Sequence, residues 1–107
     1  MKCIAVMTTV RSRDEAMRVA HVLVERRLAA CAHISKIDSV YRWKGVVRAE
    51  KEFRLLFKTT SDRYDAVAAA IQELHSYELP AIYAVAFERV EATYGAWIET
   101  ESRSLQR

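Results

Sequence analysis

Apolar and polar positions along the chain repeat with two periods, one suited to strands and one to helices. Lys2 to Val10 is a short, mostly apolar run that predicts a buried strand. Ser12-Arg13-Asp14-Glu15 has the spacing at which a serine caps a helix and a glutamate three residues on reaches back to it. Ala16, Val19, Ala20, Leu23, Val24 and Leu28 then recur at helical spacing and define one apolar face. Arg26-Arg27 stand near the end of this helix, where cations suit its dipole. Ala29 to Ile37, continued by Asp38 to Trp43, predicts a second strand, Lys44-Gly45 a turn, and Val46 to Thr59 a third strand. Within the third, Phe53, Leu55 and Phe57 alternate with Arg54, Leu56 and Lys58. Strands two and three are therefore expected as a hairpin. Ser61 or Asp62 is placed to cap a second helix with Tyr64, Val67, Ala68, Ile71, Leu74 and His75 on one stripe. Pro80 stops it, and Ala81 to Glu88 predicts a fourth strand. Thr93 is placed to cap a last helix with Tyr94, Trp97 and Ile98 on one side. From Glu99 the tail is polar apart from Leu105 and is expected to fray.

The order β-α-β-β-α-β plus a terminal helix is the split βαβ arrangement, an α+β ferredoxin-like sandwich. It places an antiparallel sheet against two helices, with a C-terminal helix added. The absence of a linker or repeat makes residues 1–107 one expected domain. Length then raises a question of assembly. Val46 to Thr59, extended, spans roughly 46 Å at about 3.3 Å per residue, whereas a compact domain of this size is about 34 Å across. The hairpin must bend at a bulge in the charged stretch Arg48 to Glu52, or it must project. A projecting tip carrying Tyr41, Trp43, Val46 and Val47 needs cover, and a symmetric oligomer is the expected cover.

Composition narrows the class. Hydrophobic residues at 51% and charged residues at 29% exclude a disordered chain, and 2 Gly with 1 Pro exclude a collagen-like or linker-like one. Two Cys are too few for a disulfide scaffold. The first apolar run is too short for a secretory signal, and no run is long enough to span a bilayer. A cytoplasmic location without membrane contact is expected. Lys and Arg outnumber Asp and Glu by 14 to 7 in residues 1–63, whereas residues 64–107 carry 3 against 7. This asymmetry suits attraction between the ends of the protein or between neighbouring subunits.

Few residues carry candidate chemistry. His75, at the end of the second helix, offers a ring nitrogen to a metal or caps the last carbonyls. Cys31 and His33 are two apart on a strand and so share a face. A thiolate and an imidazole on one face suit copper or zinc, although Cys31 in the core is the alternative. Cys3 reads as a packed residue of the first strand. The acidic pairs Asp62/Asp65, Glu50/Glu52 and Glu99/Glu101 read as solvated faces. No residue of nucleophilic type has an evident base, and there is no Gly-rich phosphate loop. Tyr41, Trp43, Tyr77, Tyr83, Tyr94 and Trp97 suit subunit contacts. The third strand lacks the glycine-aromatic motif of RNA-recognition sheets, so nucleic acid is not an expected partner.

Six stretches together carry a family likeness: Val6-Met7-Thr8-Thr9, Leu28-Ala29-Ala30-Cys31, Ser39 to Gly45, Lys58-Thr59-Thr60, His75-Ser76-Tyr77-Glu78-Leu79-Pro80, and Tyr94 followed by Trp97-Ile98. In this order and spacing the chain resembles the CutA divalent-cation tolerance family. The resemblance implies a ferredoxin-like subunit, a homotrimer with sheets edge to edge around a three-fold axis, and a role linked to copper and other divalent cations. This chain departs from the usual pattern with Ser76 in place of Pro, Ala81 in place of Glu, His33 where Asn is common, and Val90-Glu91 before the last helix. The expected function is a homotrimeric copper tolerance protein that binds metal without catalysis. The expected ligands are His75 with Cys31 or His33 of the same or a neighbouring subunit. The alternative is an adaptor trimer like the PII signalling proteins, taking a small molecule or an unidentified protein partner at clefts between subunits.

Overall fold

The computed structural model describes residues 2–103. Strand β1 (Cys3–Val10) leads to helix α1 (Arg13–Glu25), then to the hairpin of β2 (Cys31–Trp43) and β3 (Val46–Thr60). Helix α2 (Tyr64–Leu74), strand β4 (Tyr83–Ala86) and helix α3 (Ala92–Glu101) complete the order. One sheet runs β2-β3-β1-β4 with all neighbours antiparallel. This is the α+β arrangement expected from the hydrophobic periods.

The period of two sets the two faces. Ile4, Val6 and Val10 of β1 pair with Thr59, Phe57 and Phe53 of β3, and Ala32 and Ile34 of β2 continue the same face. Against it pack Ala16, Val19, Ala20 and Leu23 of α1 with Val67, Ala70 and Ile71 of α2, forming the main core. The opposite face carries Cys3, Ala5, Met7 and Thr9 beside Lys58, Leu56 and Arg54. One end of that face is covered by α3, whose Ile98 packs with Cys3, Ala30 and Phe87. Tyr94 and Trp97 stay exposed and stack on each other, their centroids 5.6 Å apart. Only Ile98 of the expected trio faces inward.

The hairpin projects. Its register is unbroken from Cys31 opposite Lys58 to Trp43 opposite Val46, so no bulge turns the tip back. Lys44 and Gly45 both adopt positive φ, 50° and 81°, as a tight two-residue hairpin turn requires. The last β1 residue, Val10, pairs with Phe53, so among the described residues β3 from Val46 to Glu52 has no strand on that side. The molecule is accordingly long and thin, 48 × 29 × 21 Å.

Several helix ends differ from expectation. Ser12 caps α1 through the Glu15 amide at 3.1 Å, but the Glu15 carboxylate turns away to Ser76. Ser61 and Asp62 lie in a 3-10 turn before α2 instead of capping it, and the Thr60 hydroxyl donates to Asp62 at 2.6 Å. Glu91, not Thr93, caps α3 by accepting from the amides of Thr93 and Tyr94. Those two amides hold its carboxyl below the usual carboxylate range. The fourth strand is shorter than expected: its ladder with β1 runs from Tyr83 opposite Met7 to Ala86 opposite Ile4.

Helix α1 ends at Glu25 and closes with Leu28 N donating to Leu23 O and Arg27 N to Val24 O, each at 3.0 Å. This closure puts Arg27 at φ 60°, a conformation that favours glycine. Its side chain explains the arginine. Nε donates to Arg103 O and Nη2 to Thr100 O, each at 2.8 Å, and Nη1 approaches Glu101. Arg27 thus satisfies the carbonyls at the end of α3 and orders residues that the polar tail alone suggested would fray. Leu105 lies outside the described residues.

Candidate functional site

Two regions hold the residues singled out from the sequence, and the sheet register separates them. The first lies where β1 stops short of the hairpin. The carbonyls of Cys3, Met7 and Thr9 point to the β4 side, as the Phe87 N to Cys3 O bond shows. Since β4 pairs only as far as Met7, the Thr9 carbonyl has no strand partner there. His75 Nε2 takes that position at 2.7 Å.

His75 Nδ1 is also engaged, 3.0 Å from the Tyr77 amide. A carbonyl only accepts and an amide N–H only donates, so these partners assign Nε2 as the donor and Nδ1 as the acceptor. The loop from His75 to Ile82 then folds around the sheet end. Ser76 donates to the buried Glu15 carboxylate twice, from N at 3.1 Å and from Oγ at 3.2 Å. The Ser76 amide donor is one that a proline at this position would lack. Tyr77 rests against His75, centroids 4.7 Å apart, and donates its hydroxyl to Glu52 Oε2 at 2.7 Å.

Glu52 corrects an expectation. The pair Glu50/Glu52 reads in the sequence as a solvated face, yet Glu52 is only 6% exposed. It stands one residue beyond the end of the β1 ladder, where Tyr77 covers it. Burial, followed by the Glu52 hydrogen bond and charge, raises the Tyr77 hydroxyl well above the ordinary tyrosine range. The Arg11 guanidinium, 5.5 Å from the ring centroid, acts in the opposite sense. Tyr77, Glu78 and Leu79 form one wall of an open groove whose other wall is the hairpin, with Tyr41, Trp43 and Arg48. Near the hairpin tip Tyr41 donates to Glu50 at 2.6 Å and Lys51 pairs with Asp38 at 2.6 Å.

The second region is the start of β2. Cys31 and His33 do share a face, opposite Lys58 and Leu56. Cys31 is a free, half-buried thiol and His33 is exposed. Lys58 donates to the Tyr94 hydroxyl at 2.9 Å. That bond raises the Lys58 ammonium above its usual range, and the charges of Cys31 and Tyr94 add to it. Thr9, where His75 docks, is level with Arg54 and Ser35. Cys31 is four residues along β2 from Ser35, roughly 13 Å at about 3.3 Å per residue, and two strands across. The structure therefore brings Cys31 and His33 together but leaves His75 apart from both. Among the described residues no cluster of three or more His, Cys, Asp or Glu side chains is close enough to hold a metal. Cys3 is buried against α3 as expected, and burial, then the Glu99 charge, pushes its thiol up.

The sequence signal for the roles of Tyr77 and Glu52 was slight. One was an aromatic after a helix and the other half of an acidic pair. Only the end of β1 makes them partners.

Comparison with known proteins extends this geometry. The model of the CutA1 divalent ion tolerance protein family matches residues 4–101. The divalent-cation tolerance protein CutA of Archaeoglobus fulgidus is 37% identical over 91 residues, covering 85% of this chain and 89% of that protein. That of Thermotoga maritima is 35% identical over 95 residues, covering 89% and 94%. The solved structure of the A. fulgidus protein, described as periplasmic, superposes with a TM-score of 0.92 at 34% identity, covering 94% of this chain and 99% of that one. Among the described residues no helix is long and apolar enough to cross a membrane. With the ferredoxin-like sheet, the long hairpin and a match over nearly the whole chain, the protein belongs to the CutA divalent-cation tolerance family.

Proposed function

We propose that the protein acts in divalent-cation tolerance as a cytoplasmic homotrimer that binds copper without catalysis. The observation that carries the assembly is the straight hairpin. Among the described residues it leaves the β3 edge from Val46 to Glu52 without a strand partner and exposes Val40, Val46 and Val47 at 74%, 56% and 59%. Strand β4 adds exposed Tyr83 and Val85. Unpaired edges with large apolar side chains are covered in native proteins, and three copies around an axis cover one another. The cytoplasmic location rests on two free thiols, which suit a reducing compartment.

For the metal, the donor set of the second region fits copper in kind: a thiol and an imidazole two residues apart on one strand face. One chain supplies two such donors there, so a third comes from a neighbouring subunit. The thiolate is the ligating form of a cysteine, and Lys58 stands opposite Cys31 on β3. His75 has both ring nitrogens engaged, and ligation by it would break its bond to the Tyr77 amide or to Thr9. The adaptor reading has no comparable support, because the groove beside the hairpin mixes acids, bases and aromatics without a dominant ligand chemistry.

Sedimentation and copper titration of the purified protein test this reading. A dilute sample is expected to sediment at three times 12.3 kDa. Copper at a hundredfold over its dissociation constant is expected to stabilise the fold by about 2.7 kcal/mol. The gain should disappear in Cys31→Ser and fall in His33→Ala. A folded single chain in solution would remove the trimer. A copper-induced shift unchanged in both variants would remove the metal site.

A further inference from the structure

One metal-capable set of side chains lies outside both regions described above, on the outer face of α1. Met17, His21 and Glu25 follow one another at intervals of four residues, and all three are exposed. That spacing puts them on one helix face, with successive Cβ atoms about 5–6 Å apart. Met17 is 37% exposed and lies outside the core cluster, which leaves its side chain open to solvent. Among the described residues none of the three has a side-chain hydrogen bond or an ion pair. We propose that Met17, His21 and Glu25 form a second copper site, open to solvent and matched to copper(I).

The donor chemistry sets the ion. A thioether is a soft ligand that selects copper(I), and an imidazole suits copper as well. Met17 reaches toward His21 through three rotatable bonds, so its sulfur and a ring nitrogen of His21 can meet at one ion. The Glu25 carboxylate, one turn further on, offsets the charge of that ion. Only two members of the set are His, Cys, Asp or Glu side chains. It is therefore compatible with the lack, among the described residues, of a metal-holding cluster of three or more such groups.

Two cations next to the set are drawn aside. Arg18 donates to Leu74 O and Arg26 to Glu73, each at 3.4 Å, so both guanidinium groups reach across to α2. Arg13 and Asp14, a turn before Met17, are both exposed and bring opposite charges. The opposite side of α1, with Ala16, Val19, Ala20 and Leu23, is turned into the core, so the set points away from the sheet. Copies joined through sheet edges leave it open. Donors on one open helix hold an ion more weakly than a closed set does. The site is therefore expected to fill at copper concentrations beyond those that saturate Cys31 and His33, and it does not depend on that pair.

Anaerobic titration with copper(I) against a chromophoric chelator tests the site in the full-length protein. The double variant Cys31→Ser/His33→Ala removes the donors on β2 and is expected to keep one copper(I) per chain. Adding His21→Ala or Met17→Leu to it is expected to weaken that binding roughly tenfold or more, the scale on which even residues behind a metal ligand act. Both substitutions suit an exposed helix position, so the fold is kept. A double variant that binds no copper(I), or whose affinity neither further substitution lowers, overturns the proposal. Zinc checks the sulfur, since a thioether adds little for that ion. An equal loss of zinc affinity in Met17→Leu would assign its effect to the helix and overturn the site as described. Carbon-13 NMR of the wild type decides without any variant. The Met17 methyl and His21 ring signals are expected to shift as copper(I) is added past the first equivalent, and signals that stay in place overturn the site. A failure of copper binding at Cys31 and His33 would leave each of these outcomes unchanged.

Discussion

Phe57→Ala is expected to remove about 3–5 kcal/mol of folding stability. Phe57 is fully buried on the inner strand β3, paired with Val6 on one side and Ala32 on the other. It belongs to the core cluster that also holds Leu23 of α1 and Ile71 of α2. Truncation removes transfer free energy and leaves a cavity that two helices and three strands cannot close together. A domain of this kind has a total stability of about 5–15 kcal/mol, so the loss is a large part of the whole. Denaturant unfolding at fixed protein concentration measures it, since assembly makes apparent stability depend on concentration. A loss below about 1 kcal/mol, within the range of volume-conserving core swaps, would contradict this core.

Tyr77→Phe is also expected to lower folding stability. It keeps the ring but deletes the hydroxyl that donates to Glu52 Oε2, whose residue is nearly buried. Hydrogen bonds to charged groups contribute about 1.5–3 kcal/mol, and the half-exposed ring places this one toward the lower end. The dependence on pH gives a sharper check. The folded hydroxyl loses its proton later than an unfolded tyrosine, which ionises near about pH 10. The stabilisation is thus fully present below about pH 10 and declines as pH rises above it, through the folded value. Wild-type protein is expected to lose stability more steeply than Tyr77→Phe on this alkaline limb. Equal slopes for the two proteins would mean that the Tyr77 hydroxyl does not hold Glu52 as described.

These two residues differ in how far the sequence discloses them. Phe57 sits in the clear alternation Phe53, Leu55, Phe57, and its burial follows from the period alone. Tyr77 and Glu52 are 25 residues apart, and neither sits in a pattern. The same contrast holds for the helix ends. The Ser12 cap was legible because its partner amide is three residues on. The Glu15 carboxylate went elsewhere because Ser76, 61 residues away, offers two donors where the Ser12 amide offers one. Arg27 looked like a cation for a helix dipole and instead closes a helix 73 residues further on.

The candidate ligands show the limit from the other side. Cys31 and His33 were legible as a pair because spacing along a strand fixes a shared face. His75 was legible as a chemically capable group, but its bonds to Thr9 and Tyr77 depend on where β1 and β4 end. The corrected reading of Glu50/Glu52 has the same origin, since the shared face of a strand is exposed or buried according to what crosses it.

By itself, the order of hydrophobic periods determined the element sequence, the ferredoxin-like class and a hairpin too long for its own globule. These are local properties, because a side chain's direction repeats every two residues in a strand and every 3.6 in a helix. Tertiary structure decided that the hairpin runs straight, that Tyr77 covers Glu52, that Arg27 closes α3 and that His75 is held between the Thr9 carbonyl and the Tyr77 amide. Those outcomes depend on strand ends and loop paths that bring distant donors and acceptors within about 3 Å, a distance that spacing along the chain does not encode.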